Sequence, residues 1–231
     1  MRVYAIGDIH GHYDLLLQMH ELIKADLRAR PCERSIEIFL GDYIDRGPNP
    51  SEVFEHLMHA EPAADERICL SGNHEKSLLR FLEDPEWLLR WSRFGGLDTL
   101  QAYGVEIEHP VDEIKCQNAR PIFADNFPSA QKAFLDRLPL SVSFGDYFFV
   151  HAGVRPGVPL DRQDEQDLIW IRDDFLHSPD EHGKLIVHGH TPHHHAEIKP
   201  NRINIDTMAY DTGILTCLVL EDEAQHLMAT G

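Results

Sequence analysis

The sequence predicts an α/β fold: a mainly parallel sheet with helices on its faces and a polar site at the carboxyl edge of its strands. Three observations predict it. Short apolar runs alternate with stretches of helical period through the first eighty residues. Five of the apolar runs along the chain break off at a glycine beside Asp, Asn or His. And in the second of these runs Ile36, Ile38, Phe39 and Leu40 stop at Gly41, and Asp42, Asp45 and Arg46 follow before Gly47-Pro48 turns the chain. In open α/β sheets the ligand crevice lies just beyond the carboxyl ends of the strands. Carboxylates at such an edge suit a metal cation, and a guanidinium suits a phosphate.

The elements follow in order. Arg2–Ile6 reads as a strand running into Gly7-Asp8-Ile9-His10-Gly11. Leu15, Leu16, Met19, Leu22, Ile23 and Leu27 form the apolar stripe of a helix over His12–Arg28. Pro50–Met58 reads as the second helix, Arg67–Leu70 as a strand into Gly72-Asn73-His74-Glu75, and Lys76–Leu82 as the helix after it. From about Asp84 to Leu138 the rhythm breaks. Pro85–Phe94, Leu97–Tyr103 and Ala130–Leu138 look helical, and Pro110–Pro128 has no clear period. We read this as a helical insert beside the site, most of whose aromatic residues form a small core of its own. Ser141–Phe144 and Tyr147–Val150 form a hairpin about Gly145-Asp146, ending at His151-Ala152-Gly153. Asp167–Phe175 is a short helix or turn. Leu185–Val187 runs into His188-Gly189-His190-Thr191, and Arg202–Ile205 and Gly213–Leu220 are further strands.

Composition sets outer limits. A chain of 231 residues with 42% hydrophobic content is long enough for one domain, here 1–231, with a sizeable core. No apolar run approaches a membrane span, and MRVYAIGD lacks a signal peptide's apolar segment. Cys32, Cys69, Cys116 and Cys217 are scattered without metal-type pairing. These features predict a reduced, cytoplasmic protein with no membrane partner. The net charge of −18 argues against nucleic-acid binding, which needs a basic face.

GDIHG, GDYIDRG, GNHE, HAG and GHT, in that order between residues 7 and 191, resemble the motifs of the calcineurin-like metallophosphoesterases. More narrowly they resemble the bacterial PPP-type serine/threonine protein phosphatases, of the phage-lambda phosphatase kind. The resemblance implies a four-layer α/β/β/α sandwich with the site at one edge of two facing sheets. It also implies two divalent metal ions, Mn²⁺ above Fe or Zn, with a bridging hydroxide that attacks phosphorus in line, and a phosphorylated protein or peptide as substrate.

The residues fit that chemistry. Asp8 and His10 alternate around Ile9, so both can face one way in an extended chain. With Asp42 they would hold the first metal; Asn73, His151 and His190 would join Asp42 on the second. Oxygen and imidazole ligands without thiolate suit Mn, Fe, Zn or Co. His74 follows Asn73 directly and is free for proton transfer to the leaving group, with Asp45 expected to orient it and favour its charged form. Arg46 and Arg172 are the candidate phosphate clamps. Arg155, just after HAG, is either a third clamp or an exposed salt-bridging residue. The run His193-His194-His195 is expected to be a solvated loop, because consecutive extended residues point to opposite faces. Asp206 is either a partner for a ligating histidine or a structural strand-end residue. Pro192 stands where broader metallophosphoesterases often carry another histidine ligand, which leaves the first metal three protein ligands and water.

Two other functions compete with phosphoprotein hydrolysis. Symmetrical dinucleoside polyphosphate hydrolases share most of the ligand set, but typically carry a small residue at the position of Asp45 and Asp at that of Glu75. Non-catalytic scaffolds of the same fold usually lose ligands, and this chain keeps them.

Overall fold

The computed structural model describes residues 1–231. The chain runs β1 (Arg2–Ile6), α1 (Tyr13–Ala29), β2 (Ser35–Phe39), α2 (Pro50–His59), β3 (Glu66–Cys69) and α3 (Asn73–Glu83). The insert follows as α4 (Leu88–Trp91), α5 (Gly96–Ala102), α6 (Glu113–Asn126) and α7 (Ser129–Leu135), with short 3₁₀ turns at Pro85–Trp87 and Ser92–Phe94. Then come β4 (Ser141–Phe144), β5 (Tyr147–Val150), α8 (Glu165–Trp170), α9 (Asp173–Leu176), β6 (Leu185–His188) and β7 (Glu197–Ile198). β8 (Arg202–Asn204), α10 (Ala209–Thr212), β9 (Thr216–Glu221) and β10 (Ala224–Ala229) complete the chain.

The strands form two five-stranded sheets, in the orders β10-β9-β1-β2-β3 and β4-β5-β6-β8-β7. β1, β2 and β3 pair in parallel, as βαβ crossovers require, whereas β9 and β10 add antiparallel neighbours. The second sheet is likewise parallel through β5, β6 and β8 and antiparallel at both edges. The two facing sheets that the resemblance implies are present, but each is mixed rather than mainly parallel.

Period-two alternation on strands buried on both faces explains the layering. Val3, Ala5, Ile36, Ile38, Leu218 and Leu220 face inward, where Phe149, Val187, Ile203 and Ile205 of the second sheet meet them. The intervening Tyr4, Ile6, Phe39, Cys217 and Val219 pack under α1, α2 and the insert. Phe148, Val150 and Ile186 point away from the first sheet and are covered by Leu168, Ile169 and Phe175 of α8 and α9. The outcome is the four-layer sandwich.

The insert differs from expectation in two respects. Its aromatics do not form a separate core: Trp91, Phe123 and Phe127 belong to the same cluster as Ile6 and Phe54. And Pro110–Pro128, which has no readable period, contains α6. Its buried face is only Cys116, Ala119 and Phe123, while Ile114 and Ile122 are 74% and 51% exposed. Apolar residues on the solvent side, with Pro121 inside the helix, erase the stripe that would reveal it. The helix starts where the Asp112 carboxylate accepts the backbone N–H of Lys115 at 2.8 Å. β7 and β10 were also not anticipated. Glu197-Ile198 is very short, and β10 is an edge strand whose side chains are mostly exposed.

Candidate metal centre and acid–base pair

The polar residues after β1, β2, β3, β5 and β6 converge where the carboxyl ends of the two sheets meet. Asp8, His10, Asp42, Asp45, Asn73, His74, His151 and His190 are all buried there. Asp42 is the common member. Its Oδ2 lies 3.7 Å from His10 Nε2 and 3.6 Å from His74 Nε2, and its Oδ1 lies 3.3 Å from His151 Nε2. Two groups result, His10–Asp42–His74 and Asp42–His151–His190, each with ligand atoms within 4.8 Å of one another. Asn73 Oδ1 joins the second, 2.9 Å from His151 Nε2 and 2.8 Å from His190 Nδ1. Asp8 completes the cluster by accepting the backbone N–H of His190 on Oδ2 at 3.0 Å. The structure thus gathers all six residues read as ligands, and it also aims His74 at Asp42.

These residues fit a cation. Asp8 Oδ1 is buried without a hydrogen-bond partner, a situation that costs about 1–3 kcal/mol when nothing compensates it. Burial raises the Asp8 and Asp42 carboxyls well above their ordinary range, and the charge of Asp206 on Asp8, and of Asp8 on Asp42, pushes further. Burial lowers His10 and His190 well below the ordinary imidazole value, and His151 to about 3, so all three rings are neutral. His10 Nδ1 lies 2.8 Å from the carbonyl of Ile44, and His151 Nδ1 2.9 Å from that of Leu40. An N–H donated to each carbonyl leaves a lone pair on Nε2, facing Asp42. A Cβ on Gly189 would stand 2.0 Å from Asp8 Oδ1, and one on Gly72 2.1 Å from Asp42 Oδ1. Only glycine allows the backbone so close to both carboxylates.

The backbone is held in an uncommon form to present these groups. Seven non-glycine residues have positive φ, and five of them are site residues: His10, Asp42, Asp45, Arg46 and His190. Each costs on the order of 1 kcal/mol or more, so the surroundings must over-determine them. Glu75, in the first turn of α3, does much of this. Its carboxylate accepts the N–H groups of Asp42, Gly72 and Tyr43 at 2.9, 2.9 and 2.8 Å. The carbonyl of Asp42 in turn accepts from Ile9 and His10.

His74 Nδ1 lies 2.5 Å from Asp45 Oδ2. Trp91 Nε1–H donates to the same carboxylate at 2.6 Å, and the Thr99 hydroxyl donates to its Oδ1 at 2.5 Å. Burial lowers His74 well below its ordinary value. It raises Asp45 to about 7, against the Thr99 and Trp91 bonds that pull it down. The expectation that Asp45 favours a charged imidazole is thereby tempered: desolvation opposes charge on both partners. Sequence reading missed Trp91 and Thr99. The one trace is Gly95-Gly96, because a Cβ on Gly96 would meet the Trp91 ring at 2.5 Å.

Arg46 and Arg172 lie at the rim. The Arg46 guanidinium sits 4.3 Å over the Tyr210 ring, which also stands edge-on to His10 at 5.3 Å. Arg172 Nε–H donates to His190 Nε2 at 3.1 Å. Arg155 is instead paired with Asp167 at 3.0 Å and with Asp174, which supports the salt-bridging reading. His193, His194 and His195 are exposed. The Asp206 carboxylate accepts the backbone N–H of Met208 at 3.0 Å, as a strand-end residue does.

Two packed mixed sheets with a carboxylate–imidazole cluster at their joint edge have the architecture of metallophosphoesterases. The calcineurin-like phosphoesterase family model matches residues 1–218, and the chain belongs to that family. The symmetrical bis(5′-nucleosyl)-tetraphosphatase of Methylococcus capsulatus is 30% identical over 156 residues, 68% of this chain and 44% of that protein. Serine/threonine-protein phosphatase 7 of Arabidopsis thaliana is 36% identical over 75 residues, 32% of this chain and 17% of that protein. The chain spans less than half the length of either. A crystal structure provisionally assigned as a diadenosine tetraphosphatase superposes with TM-score 0.66 at 19% identity, covering 99% of this chain and 93% of that one. No helix is long and apolar enough to cross a membrane.

Proposed function

We infer that this chain is a metal-dependent phosphoric ester hydrolase acting on phosphoserine or phosphothreonine in proteins. The observation that carries this reading is the buried His74–Asp45 pair, 2.5 Å apart, with the other ring nitrogen 3.6 Å from Asp42. A serine or threonine alkoxide is a poor leaving group and needs a proton as it departs. His74 supplies that proton from Nε2 while Nδ1 takes up the proton held by Asp45, so the ring stays neutral and the charge appears on the Asp45 carboxylate. Asp45 is itself pinned by Trp91 and Thr99, so the ring cannot swing freely.

Asp8, His10 and Asp42 would hold one divalent ion, and Asp42, Asn73, His151 and His190 a second, with Mn²⁺ the first choice. Two ions there supply charge neutralisation and an activated water. Arg46 and Arg172 bind the phosphate oxygens. Neither forms an ion pair with a carboxylate of the chain, so both guanidiniums are available. A second reading, dinucleoside polyphosphate hydrolysis, draws support from the Methylococcus capsulatus relative. Asp45 and Glu75 argue for the first.

The test is a side-by-side measurement of kcat/KM on phosphopeptides and on diadenosine tetraphosphate, with Mn²⁺, Zn²⁺ or Fe²⁺ added to chelator-treated protein. The expected outcome is a higher value on phosphopeptides, restored best by Mn²⁺. A higher value on the dinucleotide with every metal moves the assignment to the second reading.

A further inference from the structure

Beside the metal centre lies a pocket of about 410 Å³ whose lining includes Lys76, Arg80, Arg90 and Arg172, and the indoles of Trp87 and Trp170. Its charge runs against the molecule: the chain as a whole carries −18. Lys76 is paired with Glu165 at 2.9 Å. Arg80, Arg90 and Arg172 have no carboxylate partner, so their charges are uncompensated within the chain. Two of them are held in place by aromatic faces. The Arg80 guanidinium lies 3.9 Å over Trp87, and Arg90 lies 5.1 Å from Trp87 and 5.8 Å from Trp170. Stacking of this kind leaves the in-plane N–H groups free to donate.

The pocket is joined to the catalytic cluster. Arg172 lines it and donates to His190. Trp170 stands edge-on to His190 at 5.9 Å and to Phe94 at 5.9 Å, and Phe94 stands edge-on to His74 at 5.1 Å. A substrate phosphate at the metal centre therefore has fixed, unpaired guanidiniums one indole away.

We propose that this pocket binds a second phosphate of the same peptide, so that the enzyme prefers multiply phosphorylated segments to singly phosphorylated ones. Trp170 is a wall between two anion sites, and an anion in the second must be joined to the first by a spacer. A peptide has one: extended chain advances about 3.3 Å per residue, which sets phosphoserines two or three residues apart roughly 7–10 Å from each other. A contiguous phosphate chain also spans that distance, but it would lay further charged units against the indoles where a peptide lays backbone and methylenes. The volume also exceeds what one phosphate fills, leaving room for the intervening backbone and methylenes against the indoles.

The proposal rests on the phosphopeptide reading, and its test separates the two. One peptide sequence is prepared with a single phosphoserine, and again with a second phosphoserine two or three residues to either side. p-Nitrophenyl phosphate hydrolysis by the wild type confirms that the metal centre works. The expected result is at least a tenfold higher kcat/KM for one doubly phosphorylated peptide, mostly through KM. In Arg80→Gln/Arg90→Gln that ratio falls to within twofold of unity, while Arg80→Lys/Arg90→Lys keeps most of it. No preference in the wild type, or a preference that survives the glutamine variant, overturns the subsite and leaves the phosphopeptide reading standing. Hydrolysis of p-nitrophenyl phosphate and diadenosine tetraphosphate with no action on any peptide overturns both.

Discussion

His190 and the run His193–His195 are separated by two residues and meet opposite fates. His190 is buried, has positive φ, and is held through its backbone N–H by Asp8 and through its ring by Asn73 and Arg172. The three that follow lie exposed in a loop. A metal-binding residue type is thus not what makes a site. The strand β6 delivers His190 to a convergence of four other strand ends, and two residues later the chain has left the cleft. Elsewhere in that cleft His10 and His151 are fixed by backbone carbonyls.

Breaking the buried side of this comparison has the largest effect. Asp42→Asn removes the one carboxylate shared by both ligand groups, and we expect kcat to fall by at least about 10³-fold, since the ions it holds are worth several kcal/mol. Metal content measured by mass spectrometry should drop further below two per chain than in Asp8→Asn. Equal losses in the two variants would count against a shared ligand.

His74→Asn comes next. General acid catalysis is worth about 10²–10⁴-fold, and the loss should appear on a phosphoserine peptide far more than on p-nitrophenyl phosphate, whose leaving group hardly needs a proton. Metal content should stay near normal. Trp91→Phe should repeat the pattern more mildly by loosening Asp45. Equal losses on both substrates would move His74 into phosphate binding, and loss of one metal would make it a ligand.

Removing metal sharpens the comparison through pH. Burial raises Asp45 and Glu75 to about 7 from ordinary values near 4. An acid whose folded pKa is raised binds more protons folded than unfolded, so its contribution to stability falls as pH rises from about 4 through about 7. The buried histidines, with lowered pKa values, act in the opposite sense up to about pH 6.5, so chelator-treated protein should melt at progressively lower temperature from about pH 6.5 to about pH 8, each kcal/mol lost lowering Tm by about 2–4 °C. Added Mn²⁺ should recover the most at pH 8, where the carboxylates are charged. A Tm that rises with pH above about pH 6.5 in the chelated protein would mean the carboxylates are not desolvated as described.

The exposed side should yield the smallest effect. Replacing His193, His194 and His195 together with alanine should leave metal content and kcat unchanged and stability within about 0.5 kcal/mol per site. Loss of an ion in that variant would make the loop a ligand.

Much of the fold was legible because its signals are local. Short apolar runs ending at or near glycine mark β1, β2, β3, β5 and β6, and the Asp, Asn and His beside those glycines are the residues the structure gathers. Backbone geometry explains the glycines too, since Gly72 and Gly189 stand where a Cβ would strike Asp42 and Asp8. What sequence alone could not supply depends on neighbours distant in the chain. β9 pairs antiparallel with β1 across some two hundred residues and carries β10 on its outer side. α6 keeps its apolar face out of register with its period. Glu75 reads as one more acidic residue until its carboxylate is found on three N–H groups of the neighbouring loops. Trp91 and Thr99 read as ordinary insert residues until the fold turns them onto Asp45, forty-six and fifty-four positions earlier. The sequence by itself determined the candidate ligand types and their strand ends, because those rest on local backbone rules. Only the tertiary structure decided which side chains orient the acid, which arginine is spent on a salt bridge and which cations line a pocket, because hydrogen bonding and desolvation depend on what folding brings near.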